Sequence, residues 1–337
     1  MRKILIILGS VLLLIPTAAA WAASEPTMQA MVLDQGKLRF TSVPLPKPGP
    51  GEVRIEVRAA GVNPADWKIA RAVSQPGMAA RYGSHPILGL EAAGIIDAVG
   101  PSVSGWRRGE PVIAITRPPH GSFAHFTVVS TTFIAPKPRS MTYEEAAGIP
   151  VAGVTAWRSL IEVAHLTQGQ RVLIDGGAGG VGSAAVQIAK AQGAYVAATA
   201  SARHLAFLRS IGVDEPIDYT AGPFEQKLKD MDVVLETAVP EDGIRAMSTL
   251  KPGGILVSVV GPMPAAKCEA ARIRCAIPGS SGGQPATGYL EDVNRLVDAG
   301  KYRVSVERAL PLSSAAEAWR LSEEHHTQGK LVLVLPR

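Results

Sequence analysis

The stretch "VLIDGGAGGVGSAAVQIAK", residues 172–190, places five glycines within seven residues, between an apolar run and an alanine-rich run. Each glycine inside a helix or strand costs roughly 0.5–1 kcal/mol relative to alanine, so this cluster marks a place where the backbone itself has a task. "RVLID" ahead of it reads as a buried strand, and "VGSAAVQIAKAQG" behind it as a helix closed by Gly193. Gly177-x-Gly179-x-x-Gly182 between a strand and a helix is the pattern of a dinucleotide-binding turn. The first glycine is expected to allow the tight turn, the second to let backbone N–H groups approach a diphosphate, and the third to let helix and strand pack closely. Gly180 and Val181 complete the expected cradle. The competing reading is a structural turn with no ligand.

The segments around this turn decide between the two. After Gly193 the chain alternates "YVAATA", "HLAFLRSIG", "PIDY", "FEQKLK", "MDVVLE", "EDGIRAMSTL" and "GGILVSVVG", reading strand, helix, strand, helix, strand, helix, strand, with "RIRCAI" as a sixth strand. Six strands joined by helical crossovers form a doubly wound parallel α/β sheet. An NAD site wants an acid about 20 residues past the glycines, for the ribose hydroxyls. That position reads "ATASARH", residues 198–204, with no acid. Ser201 and Arg203 supply a donor and a positive charge, which suit the 2′-phosphate of NADP, and Tyr219 can close over it. The plainer reading of Arg203 is a residue that begins a helix.

The remainder of the 337 residues divides in two. Residues 28–150 are β-rich: "EVRIEVRA" turns Val53, Ile55 and Val57 to one side and charges to the other, the period of a half-buried strand. Short apolar runs follow at "GIIDAVG", "PVIAI" and "FAHFTVVS", suggesting a small barrel or sandwich. Residues 285–337 hold two helices and a final strand "KLVLVL", and are expected to return to this first domain, leaving 151–284 to the parallel sheet.

The net charge of +5 is spread along the chain with no run of Lys and Arg, so no nucleic-acid groove is expected. The chain opens with Arg2 and Lys3, twelve mostly apolar residues to Ile15, and Ala20-Trp21-Ala22, the pattern of a secretory signal over residues 1–22. A membrane span needs about 20 apolar residues, so no anchor remains after cleavage. The expected location is periplasmic or secreted; translation from Met28 would instead keep the chain in the cytoplasm. The two cysteines, Cys268 and Cys275, would stand about 10 Å apart on one helix at 1.5 Å per residue. Two unpaired buried thiols are therefore expected, although a helix-to-strand turn between them would permit a bond.

No metal set is expected, because the seven histidines show no H-x-x-H or H-x-x-x-H pairing and there is no four-cysteine lobe. "GSSGG", residues 279–283, formally places Ser281 in a G-x-S-x-G elbow, but Gln284-Pro285 follows where a helix should begin.

"AAGVNPADWKIARA", "PILGLEAAGIIDAVGPSVSGWRRGEPV", "AAGIPVAGVTAW", the glycine turn and the ending "LVDAGKYRVSVERALPLSSAAEAWRLSEEHHTQGKLVL" occur in one order and spacing. Together they resemble the medium-chain dehydrogenase/reductases, and more narrowly their zinc-independent, NADPH-dependent quinone oxidoreductase branch. The resemblance implies a GroES-like first domain, a Rossmann domain, a cleft between them and a homodimer. It also implies that Asn63 stands where zinc-dependent relatives carry a cysteine. Asn63 and Lys68 would then face the nicotinamide end, with Thr155, Ala238 and the segment Val259, Val260 and Gly261 around the ring and its ribose. Lys68 stands where many relatives carry Tyr.

Such a site supports hydride transfer from NADPH to a quinone or an α,β-unsaturated carbonyl. The developing oxyanion needs a donor: the Asn63 amide, Lys68 or a backbone N–H. Tyr82 is a further proton-donor candidate. Asn63 reads equally as a turn residue before Pro64, and Asp66 more readily as a helix cap than as a partner that orients Lys68. The rival to an enzyme is an exported NADP-binding scaffold or sensor without turnover.

Overall fold

The computed structural model describes residues 25–73, 75, 77, 82–83, 85–279 and 284–336. The expected signal segment and Ser281 lie outside the described residues. A hairpin of β1 (Thr27–Asp34) and β2 (Lys37–Pro44) opens the fold. Gln35 and Gly36, at φ 47° and 76°, make its two-residue turn, the geometry that matches strand twist.

β3 (Glu52–Val62) follows with the alternation expected of it: Val53, Ile55 and Val57 are buried. From Ala59 on every residue is buried, because here β3 is flanked on both sides. It runs into α1 (Pro64–Val73), then β4 (Glu91–Val99), β5 (Pro111–Ile115), β6 (Phe126–Ser130) and β7 (Ile134–Pro136). Two short helices, α2 (Tyr143–Ala147) and α3 (Pro150–Trp157), lead out of this unit. Thr142 and Glu145 cap α2 reciprocally.

The second unit alternates β8 (Arg171–Asp175), α4 (Gly180–Ala191), β9 (Tyr195–Ala200), α5 (Leu205–Ser210), β10 (Glu215–Asp218), β11 (Met231–Glu236), α6 (Pro240–Ala246), β12 (Leu250–Ser258), α7 (Ala265–Ala270) and β13 (Arg274–Ala276). Its six strands are parallel in the order β10-β9-β8-β11-β12-β13. The order reverses between β8 and β11, and a ligand crevice opens at such a reversal. "FEQKLK" forms only a 3₁₀ turn at Phe224–Gln226, and Phe224 and Leu228 are both buried in one cluster with Met231.

The tail returns to the first unit. After α8 (Thr287–Asp298), β14 (Val306–Pro311), α9 (Ala315–Glu323) and β15 (Lys330–Val334) complete a seven-stranded sheet, β15 lying antiparallel to β3. The fold is therefore a GroES-like β-rich domain with a Rossmann sheet. One apolar cluster joins them: Ala59 and Ala93 belong to the same buried set as Ile174 and Ala185.

The cysteines correct the expectation of free thiols. Helix α7 ends at Ala270, Arg272 turns the chain at φ 54°, and β13 carries Cys275 back beside the helix. The two Cα atoms are 6.1 Å apart and Cys268 and Cys275 are disulfide-bonded. Among the described residues no helix is long and apolar enough to cross a membrane.

Candidate active site

Gly176, immediately after β8, turns the chain at φ 79°, so the tight turn belongs to it rather than to Gly177. A Cβ on Gly177 would meet the Ala198 Cβ at 2.7 Å, so Gly177 serves the packing of the turn against β9. At Gly182 a Cβ would come within 2.1 Å of the Gly176 carbonyl oxygen, which is the close helix–strand approach expected of the third glycine. Gly179 differs: its nearest neighbour would be 3.6 Å away, so that side of the turn is open. Gly179 caps α4, whose first backbone N–H groups have no partner within the helix. They face a cleft of about 370 Å³ between the two units.

Asn63, Gly179, Gly180, Val181, Gly182, Ser201, Arg203, Tyr219 and Ala238 line this cleft. At one end, beyond β9, Ser201 and Arg203 stand together on a 3₁₀ turn. Arg203 Nε donates to His204 Nε2 at 3.0 Å, and its Nη2 donates to the His326 carbonyl at 3.1 Å. His204 Nδ1 lies 3.2 Å from Gln328 Oε1. Asp218, which ends β10, accepts from the Thr220 N–H and hydroxyl.

At the other end, Asn63 follows β3 and precedes α1. Its backbone N–H donates to Asp66 Oδ2 at 2.8 Å, so Asp66 is the helix cap. Asp66 is fully buried, and that burial lifts its carboxyl to about 7. The Asn63 side chain is held on both sides: Lys330 Nζ donates to Oδ1 at 2.7 Å, and Nδ2 donates to Glu91 Oε1 at 2.9 Å. Lys330 also reaches Glu91 Oε1 at 2.6 Å and the Val62 carbonyl at 3.2 Å. Glu91 Oε2 takes the Val151 N–H at 2.7 Å, at the N-terminus of α3 where a negative charge is favoured.

Several expected residues stand elsewhere. Lys68 is exposed, with Nζ 5.5 Å from the Trp67 ring centre, because one step along α1 rotates it away from the buried Asp66 and Trp67. Half-buried Tyr82 and Thr155 do not line the cleft, and the Thr155 carbonyl accepts the Ser159 hydroxyl. Val259 is fixed through its N–H to the Glu236 carbonyl at 3.0 Å, and Val259, Val260 and Gly261 lie outside the lining.

Asp175, Thr199, Thr237, His204, His326 and Lys330 line the cleft without having been expected there. Lys330 carried the clearest signal: it is a lone charge at the head of the apolar run "LVLVL", directly after Gly329. Gly329 itself donates to the Ala178 carbonyl at 2.8 Å and so ties the tail to the glycine turn. The open cradle at Gly179 and the free N–H groups of α4 fit a dinucleotide diphosphate. Among the described residues no three His, Cys, Asp or Glu side chains are grouped to hold a metal.

Residues 49–139 match the alcohol dehydrogenase GroES-like domain model, and residues 211–333 match the zinc-binding dehydrogenase model. The mitochondrial NAD(P)H oxidoreductase RTN4IP1 of Danio rerio is 33% identical, over 93% of this chain and 92% of its own. Among solved structures, the quinone oxidoreductase from Coxiella burnetii superposes with a TM-score of 0.83 at 30% identity, over 92% of this chain and 100% of its own. The CurK enoyl reductase gives a TM-score of 0.83 at 28% identity, over 92% and 99%. With these relatives and this cleft, the chain belongs to the medium-chain dehydrogenase/reductase family, as an oxidoreductase of the quinone oxidoreductase-like kind.

Proposed function

We propose that the chain binds NADPH in this cleft and reduces a quinone or an α,β-unsaturated carbonyl without a metal. The observation that carries the reading is the Gly176–Gly182 cradle lying between a cationic end at Arg203 and a hydrogen-bonded amide at Asn63. The bound coenzyme supplies the hydride. The N–H groups of Gly180, Val181 and Gly182 hold its diphosphate, and Ser201 and Arg203 hold the 2′-phosphate.

Asn63 is the donor for the oxygen on which charge develops. Its Oδ1 faces the Lys330 ammonium and one Nδ2 proton is given to Glu91, while among the described residues the second has the Gly61 carbonyl alone, at 3.5 Å. Lys330 draws electron density from the amide and so strengthens that second N–H as a donor. The carbon-bound product takes its proton from water in the open cleft. Lys68 and Tyr82 have no part in this scheme, since neither lines the cleft.

The disulfide supports maturation in an oxidising compartment, in keeping with cleavage after residue 22 and a periplasmic or secreted location. It supports equally an exported NADP-binding scaffold or sensor. β13 is an edge strand of the Rossmann sheet and is followed by exposed Ile277, which supports a homodimer. Coenzyme oxidation followed across a panel of quinones and enals tests the reading. Turnover with either class supports the reductase, and tight NADPH binding with no turnover supports the scaffold.

A further inference from the structure

Four polar side chains lie in one row across the coenzyme edge of the parallel sheet. Glu236 of β11 is in register with Asp175 of β8 on one side and with Ser258 of β12 on the other. Ala198 pairs with Ile174, which places Thr199 beside Asp175. All four are buried.

The row is joined to two residues that line the cleft, Gly176 after β8 and Ala238 after β11. The Gly176 N–H donates to Thr199 Oγ1 at 2.9 Å, and Thr199 Oγ1 donates to Asp175 Oδ1. At the far side the Ala238 N–H donates to Glu236 Oε1 at 2.6 Å. Asp175 Oδ2 and Glu236 Oε2 are left with no other donor among the described residues. Two carboxyl groups on adjacent strands, both out of water, cannot hold two negative charges cheaply; a single proton between the two free oxygens removes one charge and satisfies both atoms.

We propose that Asp175 and Glu236 share one proton beneath the cleft, and that binding of an anionic dinucleotide is tied to that proton. The inference rests on the coenzyme reading above. Burial raises both carboxyls, and Glu236, which also feels the Asp175 charge, is pushed up to about 10. The other charges facing the pair come from α6: Asp242, which reinforces the rise, and Arg245, which opposes it at Asp175. Arg245 is itself held by Glu225 and Asp242. While the proton is shared, the floor beneath the diphosphate carries one negative charge; once it is lost, the floor carries two. A bound diphosphate makes the loss harder still, so at alkaline pH binding takes up a proton. Asp175 and Glu236 act here as positioning residues, through Gly176 and Ala238.

The test is the NADPH dissociation constant of the full chain from pH 7.5 to about 10.5. In the wild type it should rise on the alkaline limb by up to about tenfold per pH unit, with proton uptake seen by calorimetry in two buffers of different ionisation enthalpy. In Glu236→Gln the amide replaces the shared proton, so the limb should flatten, and Asp175→Asn should do the same. Every ionisable group outside the pair is common to all three proteins, so the difference between them isolates the pair. A wild-type constant that is flat with pH overturns the proposal whether or not the variants fold, as does an unchanged slope in folded Glu236→Gln. Absence of NADPH binding at every pH overturns the coenzyme reading and the role of the pair with it; binding without the slope overturns only the latter.

Discussion

Lys330 Nζ lies 2.6 Å from Glu91 Oε1, and both side chains are buried where the tail strand, the GroES-like sheet and the start of α3 meet. Removing one partner leaves the other charge uncompensated. Lys330→Met should therefore cost about 3–5 kcal/mol in urea unfolding, and Lys330→Met with Glu91→Gln should cost less than the sum of the two single changes.

Gly179 and Gly182 separate binding from folding. A Cβ at Gly179 has open space, with 3.6 Å to the nearest atom, whereas at Gly182 it strikes a backbone oxygen at 2.1 Å. Gly179→Val should keep the melting temperature and lose NADPH binding. Gly182→Ala should lose about 1–3 kcal/mol of stability by overpacking. Circular dichroism melts alongside coenzyme titrations check both.

Arg203 tests the choice of coenzyme. Its guanidinium is exposed and held between His204 and the His326 carbonyl, free to meet a phosphate. Hydrogen bonds to charged groups contribute about 1.5–3 kcal/mol, so Arg203→Glu should weaken NADPH about tenfold or more and shift preference toward NADH. A variant that still prefers NADPH would place the phosphate elsewhere.

Asp66 makes stability pH-dependent. Its carboxyl stands at about 7 in the fold against 3.8 as the ordinary value, chiefly through burial. The folded state thus binds the proton more tightly than the unfolded chain. The stabilisation is fully present below about pH 4 and is lost as pH rises through about 7, at up to about 1.4 kcal/mol per pH unit. Asp66→Asn should show a smaller fall over that window in urea unfolding at several pH values.

The glycine turn and the alternation of β3 were legible because both are local: one needs a backbone that only glycine permits, the other a strand with one wet face. Asp66 as a cap was legible for the same reason. Lys330 stood out as a lone charge ahead of an apolar run, but its pairing did not, because its partner Glu91 lies 239 positions away in the chain. Lys68 came from the family resemblance rather than from a local pattern, and its neighbours Asp66 and Trp67 take the inward face of α1. The disulfide turned on where α7 ends: a helix stopping at Ala270 brings Cys275 back, and a longer one would not.

Direct titration of the folded protein with NADPH, beside NADH and beside Gly179→Val, bears most closely on the whole. The expected result is saturable NADPH binding, tighter than NADH and lost in Gly179→Val. A folded wild-type protein that binds neither coenzyme at millimolar concentration would contradict it.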